Sequence, residues 1–154
     1  MKNYEISFNN TRYSEKPSGD EIGKISNRLY TKSMDYRKLA AEVGEYGCTF
    51  SPAVYDGRRR KENYIGQQLV GLDFDSGITF SEVKSKVEHY RLPILFAYKT
   101  FSWTEEHEKF RVIFALSNVI GDMFTGAAVT AIFMKIFEDC DAACKDVSRI
   151  EKLS

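Results

Sequence analysis

The segment Gly71-Leu72-Asp73-Phe74-Asp75-Ser76-Gly77 places two carboxylates two residues apart at the end of the apolar run Leu69 to Leu72. On a β-strand, alternate residues share a face and stand roughly 6.6 Å apart along the chain. Asp73 and Asp75 would then point the same way at the strand's carboxyl end. Two such anions repel unless a cation lies between them, and oxygen donors of this kind suit Mg2+ or Mn2+. The plainer alternative is a turn at Asp75-Ser76-Gly77 after a fraying strand end. A second pair, Lys109 and Arg111, flanks Phe110. Alternation puts both cations on one strand face, where they could hold phosphates opposite a metal on the aspartates. A cross-strand salt bridge with no ligand accounts for the same pattern. Asp139, Cys140 and Asp141 follow later, with Lys145, Asp146 and Arg149 after them. A third carboxylate from this cluster would complete a two-metal cage. Otherwise the cluster is a solvated, charged helix end.

Three weaker features accompany these. Ser102, in Thr100-Phe101-Ser102-Trp103, could donate to a phosphate. Trp103 could stack on a base or anchor its own loop. His107 could contact a phosphate, but it stands in a charged turn with Glu105 and Glu106. The basic run Arg58, Arg59, Arg60 and Lys61 could follow a nucleic-acid backbone or simply stay solvated.

The elements that would hold these residues can be read from periodicity and caps. Residues 3–8 read as a strand. Asp20 and Asp35 read as N-caps of two small helices over roughly 20–31 and 35–46, with Gly47 stopping the second. Residues 51–66 are turn-rich. Gln68 to Phe74 is a strand, and Thr79 or Ser81 caps a helix through about His89. Its apolar residues Phe80, Val83, Val87 and Tyr90 fall at helical spacing. Pro93 opens a strand, Lys109 to Leu116 makes another, and Asp122 caps a long apolar helix through about Glu138. Residues 147–153 give a final short strand. The order β-α-β-β-α-β predicts an α+β fold with an RRM-like, or ferredoxin-like, sheet. Its first two strands are then parallel and its third can lie beside the first. The long helix, apolar nearly all round, is expected to be covered by the sheet and by the amino-terminal helices. We expect one domain over 1–154, with a strand and helices in 1–50 and the RRM-like core in 51–154.

Composition narrows the classes. The chain has 154 residues, with 22 Lys+Arg against 22 Asp+Glu, 43% hydrophobic residues, nine Tyr and eleven Phe. So many aromatics exclude a disordered tail or a coiled coil. The balanced charge excludes a uniformly basic coat for duplex DNA, though not a local patch. The amino terminus has no apolar stretch of signal-peptide length, and Ala127 to Met134 is far short of the ~20 residues that span a bilayer. A soluble chain is expected. Cys48, Cys140 and Cys144 are an odd count without framework spacing, which suits buried thiols in a reducing compartment.

The order QQLVGLDFDSG, YKTFSW, EKFRVIFAL and DAACKDVSRI resembles the archaeo-eukaryotic primase–polymerase family, in the versions carried by phages, plasmids and other mobile elements. The likeness covers about residues 50–150. It implies a two-metal nucleotidyltransferase centre that makes or extends primers from nucleoside triphosphates. By this resemblance Asp73 and Asp75 are metal ligands of a DxD motif, and Ser102 is the serine of a second motif. Trp103 stands where that motif's histidine would be sought, which leaves His107 as a displaced candidate. Lys109 and Arg111 match basic residues that face the triphosphate. Asp141 matches the third acidic position, with Asp146 as the alternative, and Arg149 matches a basic position after it. The implied cofactor is Mg2+ or Mn2+. The implied partners are nucleoside triphosphates, a single-stranded DNA template and a helicase or other replication protein, with no membrane. The implied setting is the cytoplasm of a bacterial or phage-infected cell. Family members continue past the third acidic motif, whereas this sequence stops at Ser154, so a truncated domain that synthesises poorly alone is the expectation. A non-catalytic nucleic-acid- or protein-binding module on the same scaffold is the alternative, because fold does not fix function. A replication-initiator endonuclease would need paired histidines, and His89 and His107 are not paired. Neutralising Asp73 and Asp75 together is expected to leave folding intact, because it relieves repulsion.

Overall fold

The computed structural model describes residues 1–145. Strand β1 (Asn3–Asn9) turns Tyr4, Ile6 and Phe8 into the core, as alternation requires. Helix α1 (Gly19–Asn27) follows, then β2 (Tyr30–Asp35), α2 (Tyr36–Gly44) and two short strands, β3 (Thr49–Ser51) and β4 (Ala53–Tyr55). Next come β5 (Tyr64–Phe74), α3 (Phe80–Tyr90), β6 (Ile94–Lys99), β7 (Phe110–Ile120) and α4 (Met123–Ile136). The architecture is α+β.

The strands form a three-stranded sheet in the order β2-β1-β3 and a four-stranded sheet in the order β4-β5-β7-β6. Both β5 and β6 run antiparallel to β7, so they are parallel to each other, with α3 between them in the chain. That is the β-α-β-β-α order expected from the sequence, and β7 does lie beside β5. The last expected strand, together with Asp146 and Arg149, lies outside the described residues.

Each face of the four-stranded sheet has its own apolar layer. On one face Val70, Leu72, Phe74, Phe110, Val112 and Phe114 pack against α3 and α4. On the other, Leu69, Ile113 and Tyr98 meet Ile6 and Phe8 of β1 and Leu39 and Val43 of α2. The glycine Gly47 closes the loop after α2. Its φ is +71°, and an added Cβ would stand 1.9 Å from the Tyr13 carbonyl oxygen.

Several local expectations need correction. Ser18, not Asp20, caps α1: Glu21 N–H bonds Ser18 Oγ while the Glu21 carboxylate accepts the Ser18 N–H. Asp20 lies inside the first turn, where its negative charge suits the helix dipole. The first helix ends at Asn27, because Tyr30–Asp35 is drawn into a strand by six residue pairs along β1. The turn-rich stretch begins with two strands, each too short to show a period. Helix α4 is not covered on two sides. Phe124 is 85% exposed and Ile132 60%, and α2 packs instead on the opposite sheet face. Asp35, Thr79 and Asp122 do cap α2, α3 and α4 as their positions predict.

Candidate functional site

Asp73 and Arg111 are direct partners across the β5–β7 ladder. They share the face opposite Leu72, Phe74, Phe110 and Val112. Arg111 grips Asp73 with both arms: Nε donates to Oδ1 and Nη2 to Oδ2, the latter at 2.9 Å. Arg111 is fully buried and Asp73 is 6% exposed. The two lie on one surface, as alternation predicts, and the salt-bridge alternative is the one this contact realises. A fork of this geometry is the strongest common ion pair, and burial holds it in place.

The end of β5 gathers the other acids through backbone contacts. The Asp141 N–H donates to the Asp73 carbonyl at 2.8 Å, and the Asp73 N–H donates to Cys144 Sγ at 3.3 Å. Ser76 Oγ donates to the Asp139 carbonyl at 3.1 Å. These three bonds seat the segment after α4 along the last residues of β5. The Asp141 carboxylate also accepts the Ala143 N–H at 2.9 Å, so its segment turns sharply there. Asp75, just past the strand, is exposed. His107 reaches it from the β6–β7 turn, with Nε2 2.8 Å from the Asp75 carbonyl oxygen. Asp73, Asp75, Asp141 and His107 thus converge from three separate segments. Among the described residues, no three His, Cys, Asp or Glu side chains close into a metal cage.

Ser102 and Lys109 sit on the β6–β7 connection at the same end of the sheet. The Lys109 carbonyl accepts both the N–H and the hydroxyl of Thr100, which ties the two strand ends together. Ser102 is exposed in the turn that follows. Lys99 places its ammonium 3.6 Å from the Trp103 ring centroid. The basic run lies elsewhere. Arg58, Arg59, Arg60 and Lys61 precede β5, whose 11 residues separate them from Phe74. At about 3.3 Å per residue that is roughly 33 Å of strand. Arg59 Nε instead donates to Ser26 Oγ on α1 at 3.1 Å.

Two residues here escaped the sequence reading. Cys144 contacts Asp73 because its turn docks there, which no spacing signals. Glu108 accepts the Phe80 N–H at 2.6 Å, so it fixes the start of α3 to the β6–β7 turn. Nearby, the Cys140 thiol is held below its ordinary value, first by a hydrogen bond with Cys144.

No family model matches this sequence, and no curated protein matches it. Among solved structures, the fold is similar to the AEP domain of the primase–polymerase of cyanophage S-2L. The two superpose with a TM-score of 0.52 at 11% identity, over 99% of this chain and 72% of the phage domain. The likeness is one of fold.

Proposed function

We propose that this chain is a primase–polymerase-type nucleotidyltransferase domain, which binds a divalent metal and a nucleoside triphosphate for primer synthesis on a single-stranded DNA template. The observation that carries the reading is the docking of the Asp141 segment on the Asp73 backbone, beside Asp75, at the carboxyl end of β5, in a fold like that of a phage primase–polymerase domain.

The donor chemistry fits Mg2+ or Mn2+, since hard oxygens are what these ions take. Asp75 and Asp141 would hold the ion together with Asp73, whose two oxygens also serve Arg111. When bound, such an ion supplies Lewis-acid activation of an attacking hydroxyl and charge for a departing pyrophosphate. The chain's own residues do the positioning. Arg111 holds the Asp73 carboxylate rigidly. His107 holds the Asp75 backbone. Ser102 and Lys109, at the same end of the sheet, offer a hydroxyl and a cation for phosphate oxygens.

Mn2+ titration followed by electron paramagnetic resonance, with and without nucleoside triphosphate, tests this. Asp75→Asn with Asp141→Asn should weaken Mn2+ binding by at least tenfold, on the scale of one lost charged ligand, about 1.5–3 kcal/mol. The same variant should lose primer synthesis on single-stranded template. Equal Mn2+ binding by both proteins would overturn the reading. The bidentate hold of Arg111 on Asp73 favours a second reading, a non-catalytic nucleic-acid- or protein-binding module, and that result would support it.

A further inference from the structure

We propose that the cavity beside edge strand β6 is a stacking site for one planar base of a single-stranded nucleic acid, on the sheet face opposite Asp73. The cavity encloses about 380 Å3, and on this face its lining is Phe80, Ala97, Lys99, Trp103, Glu108 and Phe110. It takes its nucleic-acid class from the reading above but goes beyond it, because no metal or carboxylate of that site takes part.

Phe80, Trp103 and Phe110 supply the aromatic rings, while the Tyr98 side chain stands on the other sheet face with Arg111. Phe110 meets Phe80 edge-to-face at 5.4 Å, which sets the floor, and Phe80 remains 37% exposed. Aromatic walls recognise any base through its π-face. The volume falls at the small end of ligand pockets, which suits one flat group and not a duplex. Two charges then choose the ligand. Lys99 stands over the Trp103 ring and brings a cation to the cavity, where a phosphate of the same nucleotide would be matched. Glu108 is held by the Phe80 N–H, and its carboxylate can only accept. Cytosine presents its N4 amino donor to that carboxylate at the position where thymine presents the O4 acceptor. A phenylalanine ring from a protein partner would bring Glu108 no donor.

The position is also apt. Phe110 pairs with both Phe74 and Lys99, so the cavity and the acids share one end of the sheet. The turn between β6 and β7 presents His107 to Asp75 and Glu108 to the cavity. A strand rounding that turn would reach both faces.

Trp103 is the chain's one tryptophan, so its fluorescence reports this cavity directly. The full chain is titrated with oligo-dC, oligo-dT and an abasic oligonucleotide of equal length, in chelator without divalent metal. Oligo-dC should quench Trp103 and bind about tenfold tighter than oligo-dT. The abasic strand should leave the fluorescence unchanged. Phe80→Ala should weaken oligo-dC binding about tenfold, the scale of one lost stacking partner, with its circular dichroism unchanged. Glu108→Gln, which keeps an acceptor for Phe80, should erase the preference for dC. Equal quenching by the abasic strand, or unchanged binding in Phe80→Ala, would overturn the proposal. So would a response to N-acetyl-tyrosinamide with none to oligo-dC, which would assign the cavity to a protein side chain. Mn2+ binding intact while oligo-dC fails overturns this site alone. Oligo-dC quenching without Mn2+ binding supports this site and overturns the metal-dependent reading.

Discussion

Asp73→Asn should destabilise this chain strongly, even though it removes one of two neighbouring negative charges. Relief of repulsion, the expectation from sequence, is outweighed by the loss to Arg111. That guanidinium is fully buried and held by both oxygens of Asp73. Taking away the carboxylate leaves a cation inside the protein without this counter-charge, and breaking a buried pair costs about 3–5 kcal/mol. Whole domains are held together by only about 5–15 kcal/mol. At about 2–4 °C per kcal/mol for a chain of this length, Tm should fall by about 6–20 °C. Arg111→Met, which removes the other half of the buried pair, should cost on the same scale. Removing both charges together, as Asp73→Leu with Arg111→Met, should recover most of the loss. Urea unfolding followed by circular dichroism, run as a double-mutant cycle at low and high salt, measures each quantity. A buried pair responds little to salt. A coupling energy under about 1 kcal/mol, or one that salt abolishes, would refute the reasoning, because that is how an exposed pair behaves.

Three other outcomes follow from local geometry. Gly47→Ala should cost more than about 1 kcal/mol in urea unfolding, because its φ of +71° and the Tyr13 carbonyl both exclude a Cβ. Glu82 and Asp122 accept backbone and hydroxyl bonds at helix starts, from Thr79 and Thr125, which hold both carboxyls below their ordinary values of 4.5 and 3.8. Lowered folded values mean that their stabilisation is complete above those ordinary values and is lost as pH falls through the lowered ones. Helical circular dichroism should therefore drop in acid, and Asp122→Asn, which still caps α4, should flatten its share of the profile. Brief alkylation should mark Cys140 first, its thiol lowered by Cys144, and leave Cys48 unmarked until unfolding, its thiol pushed up to about 11 by burial and by Glu42. Equal labelling of the two, read by mass spectrometry, would contradict that assignment.

What was legible in the sequence was local. The strand periods of β5 and β7 and the caps at Asp35, Thr79 and Asp122 depend on residues within one turn or one strand, so they could be read directly. The order of the β-α-β-β-α elements followed from them. The short strands β3 and β4, of three residues each, carry no period, and β2 becomes a strand because β1 lies beside it. The aromatic cavity was equally silent, since Phe80, Trp103 and Phe110 come from α3, the β6–β7 turn and β7, which only packing brings together.

The candidate site divides the same way. The sequence by itself determined that Asp73 stands near the end of an apolar strand, with Asp75 two residues on, and it offered a shared face for Arg111 and Lys109 as an expectation. It left the phosphate role and the salt bridge open for Arg111. Only the tertiary structure placed Arg111 opposite Asp73, 38 residues away. It also brought His107 to Asp75 and laid the Asp141 segment against β5. The physical reason is register. A slip of one residue between β5 and β7 would turn every side chain of one strand to the other face, and no property of either strand alone fixes that alignment. The two apolar layers, one under α3 and α4 and one against β1 and α2, are both filled in the register that sets Leu72 against Val112 and Asp73 against Arg111.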